Sequence, residues 1–284
     1  MNAALHAVKL GLARGWIEFK NSLTNPQDVS FTIISTAAFV VVIYFQRDAT
    51  VPGTTFTLAG VTLPSMLGML AAFNGLIGAM SMITVEREDG TLLRAKALPQ
   101  GMLGYMVGRI ALLTLQALGS MVILLAAGLL LLPDLAQAGL GGLLLVLAIT
   151  LIGLVATLPL GAVVGSLFNN PQAVTGLSML VVGGLVAISG IFYPISAVAG
   201  WLQAIAQAFP VYWLGLGMRA ALLPDSMAAA EIGGSWRPIE TILVLSAWVV
   251  AGLLLAPPIL RRMARRESGS LMEARRERAM QRVG

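Results

Sequence analysis

The segment Glu86-Arg87-Glu88-Asp89-Gly90-Thr91-Leu92-Leu93-Arg94-Ala95-Lys96-Ala97-Leu98-Pro99 is a charged island between two strongly apolar runs. It reads as a short amphipathic helix within residues 86–99. Gly90 supplies a turn, Thr91 an N-cap-like hydroxyl, and Pro99 forbids continuation. Leu92, Leu93 and Leu98 give it an apolar side, while Arg94 and Lys96 stay in water. Glu86, Glu88 and Asp89 alternate with Arg87, Arg94 and Lys96, a mixed-sign face suited to setting register against a partner.

Everything around the island is hydrocarbon-like. Of 284 residues, 57% are hydrophobic and 11% charged, with a mean hydropathy of +0.87. Soluble chains carry about 25% charged residues, so the expected class is an all-α integral membrane protein. The chain has no Cys and one His, which excludes a disulfide framework, a thiolate metal site and a metal centre built on histidine. From Arg261 to Gly284 there are eight Arg against three Glu, so this tail carries the whole net charge of +5. A basic run directly after an apolar span reads as a cytoplasmic anchor facing anionic lipid, in preference to a nucleic-acid surface.

Residues 1–24 carry no cleavable leader pattern, since His6, Lys9, Arg14, Glu18 and Lys20 interrupt every apolar run. Leu5, Val8, Leu12, Trp16, Phe19 and Leu23 recur at helical steps, predicting an amphipathic helix in the membrane interface. Residues 25–260 then form one membrane domain. Six transmembrane helices are expected at about residues 29–45, 64–85, 102–132, 140–168, 172–192 and 239–259. The third and fourth exceed the ~20 residues a bilayer requires, so their ends project beyond the lipid. Arg109 is expected to snorkel to the interface, Pro159 to kink the fourth span, and Pro257-Pro258 to end the sixth.

Residues 193–223 are apolar, yet Pro210 breaks them and Arg219 interrupts them. If they crossed the bilayer, the arginine-rich tail (261–284) would lie outside, against the orientation bias of positive charge. They are therefore read as an external re-entrant or interfacial hairpin, with Trp201, Tyr212 and Trp213 as aromatic anchors. This arrangement leaves fifteen Lys and Arg inside against Arg47, Arg219 and Arg237 outside, with both termini cytoplasmic.

Energy conversion is absent from the sequence. Lys9, Lys20 and Lys96 follow Val, Phe and Ala, so no P-loop is present. The central portions of the six spans hold no Asp or Glu, so there is no proton relay. An active pump built from this chain borrows ATP hydrolysis from another subunit, and the chain itself is expected to be no enzyme. A passive channel or a non-transporting membrane scaffold is the rival class, although few polar groups are present to line a hydrated path. Gly11/Gly15, Gly104/Gly108 and Gly161/Gly165 have GxxxG spacing, but about three such pairs arise by chance at this glycine content, so spacing alone identifies no interface.

The string E-R-E-x-G-T-L over Glu86–Leu92, with Pro99 nine residues after Gly90, resembles the first cytoplasmic loop of ABC-2 type permeases, in particular the daunorubicin-like multidrug efflux branch. Leu93 stands where many members carry an acidic residue. The resemblance implies a type V exporter-like fold: an N-terminal connecting helix, a coupling helix at 86–99 docked on an ATP-binding-cassette subunit, and a re-entrant segment marked by Pro194, Trp201, Pro210 and Arg219. It implies that Glu86, Arg87, Glu88, Gly90, Thr91, Leu92, Arg94, Lys96 and Pro99 couple to that ATPase, which holds ATP and Mg. It also implies a dimer with a second permease in a bacterial cytoplasmic membrane. The second and fifth spans would line a cavity at the dimer axis, which selects Met69, Phe73, Asn74, Ser178 and Met179, with Phe192 and Tyr193 as an outer gate. The methionines suit varied apolar ligands and equally suit ordinary packing. Asn74 is open to a neighbouring helix or a ligand, and Arg219 to snorkelling or to fixing the re-entrant segment. Export of apolar or amphipathic compounds is the first expectation, and export of a lipid or polysaccharide precursor the second.

Overall fold

The computed structural model describes residues 3–50, 57–88, 90–168, 171–193 and 195–266. Its long elements are α1 (Ala3–Thr24), α2 (Pro26–Gln46), α3 (Leu58–Phe73), α4 (Ala79–Glu88), α6 (Gly101–Leu131), α7 (Gly139–Leu167), α8 (Pro171–Ile188) and α11 (Pro238–Arg266). Between them lie α5 (Thr91–Lys96), α9 (Gly200–Ala208), α10 (Pro210–Leu222) and short 3₁₀ turns. A single π turn, Asn74–Gly78, joins α3 to α4 without a break in the helical path.

Among the described residues, five stretches are long and apolar enough to cross a membrane: Pro26–Gln46, Leu58–Glu86, Gly101–Leu131, Leu135–Leu167 and Pro238–Met263. The expected fifth span at 172–192 falls on α8, which ends at Ile188 and whose described apolar stretch is Gly176–Ile188. The 18 residues of α8 rise about 27 Å, slightly under the ~30 Å of a hydrocarbon core. The stop has a local cause. Gly190 turns left-handed at φ 66°, and Ile195 packs back where a Cβ would stand. At the other end, α11 continues through Pro257 and Pro258 to Arg266, past its expected limit at 259. Ala256, Leu260 and Met263 remain buried there, so tertiary packing holds the turn that the two prolines weaken.

Helix direction follows from close approaches. Gly161 meets Leu76 and Gly165 meets Met80, so α7 runs parallel to the α3–α4 path. Gly128 meets Leu63 and Gly78 meets Leu113, which makes α6 antiparallel to the α3–α4 path. The island, the start of α6, the start of α1 and the end of α11 therefore share one end of the bundle. The turns around 47–57, 132–139, 189–199 and 223–237 share the other.

α1 does not lie across the bundle as an interfacial helix would. It runs beside α6 in the same direction, with Ala7, Gly11 and Gly15 as its buried face. A Cβ on Gly11 would stand 2.4 Å from the Gly104 carbonyl, and one on Gly15 2.5 Å from that of Gly108. The expected apolar stripe points outward instead, with Leu5, Leu12, Trp16 and Leu23 exposed. Lipid accepts bulky apolar groups as readily as a core does, so the small residues decide which face packs. The three GxxxG pairs that chance could explain are thus all in helix contacts, two between α1 and α6 and one from α7 to α4.

The 193–223 segment is a helical hairpin whose second arm is deeply buried. Going along α10 from Leu214 to Ala221, its partners on α7 run back from Gly153 to Gly142, and on α3 Gly68 meets Gly215 while Ser65 meets Arg219. α10 thus returns antiparallel to both, with its apex inside the bundle. There Trp248 of α11 donates to the Ala208 carbonyl at 3.0 Å and stacks on Phe209. Tyr212 and Trp213, expected as surface anchors, are 0% and 2% exposed. Only Trp201 is outward-facing among the three, because the Trp213 indole donates to the Gln207 carbonyl at 2.7 Å and draws its ring inside.

Candidate functional site

The small face of α1 sets up a charged junction. Three residues beyond Gly15 comes Glu18, and one residue beyond Gly108 comes Arg109, so the glycine contact brings these two side chains together. Arg109 Nη1 pairs with Glu18 Oε2, and Arg109 Nη2 pairs with Glu86 Oε1 on α4. Tyr105, one turn before Arg109, donates its hydroxyl to Glu86 Oε2. Arg14, one turn before Glu18, closes the series at 2.7 Å. Charges alternate along Arg14, Glu18, Arg109 and Glu86, so the set is neutral and joins α1, α6 and α4.

This corrects two expectations. Glu86 is 3% exposed and lies under the island, not on a water-facing docking surface. Arg109 turns inward between two carboxylates and does not snorkel outward. Burying an ionised carboxylate is costly unless it is paired and hydrogen-bonded, and Arg109 with Tyr105 provides both.

Beyond Glu86 the chain leaves α4 and turns at Gly90, whose φ is 75°. The Gly90 carbonyl accepts from the Arg94 amide at 3.1 Å, so Gly90 occupies the cap position and Thr91 is the first helical residue. The Thr91 hydroxyl instead accepts from the Arg94 guanidinium at 3.0 Å. Leu92 and Ala95 are buried against Tyr105, Ala256, Leu260 and Met263, which seats α5 between α6 and α11. Leu98 is 65% exposed and Pro99 and Gln100 are exposed, so among the described side chains the apolar side consists of Leu92 and Ala95 and does not extend to Leu98. Helix α5 is shorter than the expected 86–99, since residues 97–100 turn and Gln100 takes φ 54°. Arg94 faces water. The side chains of Arg87, Glu88, Leu93 and Lys96, and all of Asp89, lie outside the described residues.

The expected cavity residues fall in different environments. Met69 is 6% exposed and Ser178 3%, both packed inside the single chain. Phe73 is half-buried at the π turn, and Asn74 donates to its own helix at the Leu70 carbonyl, 2.9 Å away. That bond is internal to the helix and involves no neighbouring helix. Met179 is 57% exposed on α8, beside Leu180 at 73%. Phe192 and Tyr193 are exposed after α8, and the Tyr193 hydroxyl donates to the Ala187 carbonyl. None of these residues lines either of the two cavities described here. One, of about 620 Å³, lies at the end away from the island between Arg47, Thr57, Leu132, Gln137 and Leu223. The other, of about 130 Å³, lies between α4, α6, α7 and α11 next to the charged junction.

Arg219 is 2% exposed and makes a two-point contact with Glu231, at 2.7 and 3.2 Å. Its third nitrogen donates to Ser65 Oγ at 3.0 Å and to the Gly190 carbonyl at 3.4 Å. One side chain thereby ties α10 to α3, to the turn after α8 and to the loop before α11. The snorkelling alternative is excluded by that burial. Pro210 is buried at the start of α10, and Pro194 lies outside the described residues.

Sequence reasoning passed over Glu18 and Tyr105 and gave Arg109 a surface role. The available signal was Arg109, the one charged residue of the apolar α6, where an ionisable group needs a partner. A family model described as ABC-2 family transporter protein matches residues 3–256. No curated protein matches the chain.

Proposed function

Because the chain belongs to the ABC-2 family of transporter proteins, and is thus a multi-pass membrane permease of an ABC transporter, we propose that it serves an ATP-driven exporter of hydrophobic or amphipathic compounds. Two permeases, identical or sister chains, work with two ATPase subunits that bind ATP and Mg. The membrane is the bacterial cytoplasmic one, with both termini on its cytoplasmic side.

The observation that carries the proposal is the seating of α5. Its outward side offers Arg94 to a partner, while its inward side rests on α6 and α11 through Leu92 and Ala95. Closure of the ATPase pushes α5, and the push reaches α4, α6 and α1 through Glu86, Arg109 and Glu18. The α3–α4 path then tilts against α8, with the π turn at Asn74–Gly78 as its weakest point. Arg87, Glu88 and Lys96 complete the docking face with Gly90, Thr91 and Pro99 shaping it, and Glu86 and Leu92 act from beneath. Phe73, Asn74 and Met179, with Met69 and Ser178 behind them, face the path at the permease dimer axis, and Phe192 with Tyr193 closes its outer end. Exposure of Met179 and Leu180 on a thinly packed α8 supports a second permease there.

Reversal of Arg94 and Lys96 to Glu tests the coupling in proteoliposomes holding the permease and its ATPase. Transport of an apolar cation should fall at least tenfold, with insertion and assembly unchanged. Full transport by the reversed variant would refute docking at α5. Uptake of lipid-linked glycan in place of drug would move the substrate to the precursor class.

A further inference from the structure

We propose that the crevice between α6 and α11 binds one anionic glycerophospholipid, a few methylenes of one acyl chain in the cavity of about 130 Å³ and its headgroup on Arg261. The cavity wall presents only apolar atoms. Its back is Leu113 and Leu158, which are buried, and its lips are Ile110 and Leu253, which are 47% and 55% exposed. Both lips belong to membrane-spanning helices, so the medium at the opening is hydrocarbon. An apolar cavity of roughly 150 Å³ stays dry and accepts a benzene-sized group, which is the bulk of a few acyl methylenes.

Charge supplies the other half of the occupant. Along α11, Leu253 and Pro257 line the crevice, and Arg261 follows at the next step of four on the exposed lip, with Arg265 one turn further. Leu253 and Arg261 are about 12 Å apart along the axis, toward the island end. Arg261 and Arg265 are both exposed and have no acidic partner among the described residues. Arg109, by contrast, touches the cavity with its stem while its charge is satisfied by Glu18 and Glu86. A neutral lipid would fill the crevice and leave the arginines unanswered, whereas an anionic one answers both. Tyr105, Ala256 and Leu260 belong both to the crevice and to the seat of α5, so the occupant shares a wall with the island.

Native mass spectrometry of the full-length permease, titrated with phosphatidylglycerol or phosphatidylcholine of equal chain length, tests this. The wild type should retain one phosphatidylglycerol at least tenfold more tightly than phosphatidylcholine. Ala162→Phe, which fills the crevice, and Leu253→Trp, which blocks its exposed lip without touching the core, should each remove that single tight lipid. Arg261→Ala with Arg265→Ala should abolish the headgroup preference. Retention unchanged in both blocked variants, or equal affinity for the two lipids in the wild type, would overturn the site.

Discussion

Glu86 shows how a residue at the edge of a charged island can belong to the core. It is fixed by Arg109 and Tyr105, and removing Arg109 strands its charge. Arg109→Ala, which leaves Glu18 and Glu86 facing each other, should destabilise the detergent-solubilised protein by about 3–5 kcal/mol. Replacing Glu86 by Gln and Arg109 by Met together should cost less than Arg109→Met alone, since Glu18 keeps Arg14 and no buried carboxylate is left unpaired, while Glu86→Gln alone leaves Arg109 with Glu18. Thermal unfolding of the four proteins gives the comparison. Arg219 is governed by the same physics with stricter geometry. Arg219→Ala should cost about 3–5 kcal/mol, and Arg219→Lys should recover only part of it, because an ammonium cannot reproduce the two-point contact with Glu231. A lysine variant as stable as wild type would show that shape at this position is unimportant.

Elements meet through small residues. Gly15 lies so close to Gly108 that any side chain must push α1 off α6. Gly15→Val is therefore expected to cost about 1–3 kcal/mol, and also to separate Glu18 from Arg109. Leu12→Ala, on the exposed stripe, should change the unfolding midpoint little, although its residue is far larger. The reverse ranking would mean that the bulky stripe is the packing face. At the π turn, a Cβ on Gly75 would stand 1.8 Å from Thr157 Oγ1. Gly75→Ala should lower stability measurably, and Thr157→Ala should partly restore it. The stripe was legible in the sequence as a helical period, but a period states only that faces differ. Which face turns inward depends on how closely two backbones can approach, and that is a property of the pair.

For the molecule as a whole, the directions of the helices place the island, the start of α1 and the end of α11 together. The chain has no Cys of its own, so single cysteines report sidedness cleanly. Gln100→Cys and Arg262→Cys should react with a membrane-impermeant maleimide from one side of sealed vesicles, and Gln137→Cys and Ser235→Cys from the other. Labelling of Gln100 and Arg262 from opposite sides would refute the topology. Most of the long apolar helices were readable to within a few residues, because hydrocarbon tolerates no exposed irregular backbone and each stretch is bounded by Pro, Gly or charge. The segment 193–223 was readable as an external re-entrant or interfacial hairpin, but not as one buried between other helices. Its burial against α3 and α7 came from contacts at Gly68, Gly142 and Gly153, far away in the chain.

From residue order alone came the membrane class and the location of the five long apolar helices found among the described residues. These follow from composition and period, which are local sums. The tertiary structure alone decided that Glu86 is buried, that Arg109 bridges two carboxylates, that α1 packs by its glycines and that Arg219 locks α10. Each of these depends on which groups from distant segments lie within a few ångströms, and a buried charge or a missing Cβ acquires its meaning only from that neighbour.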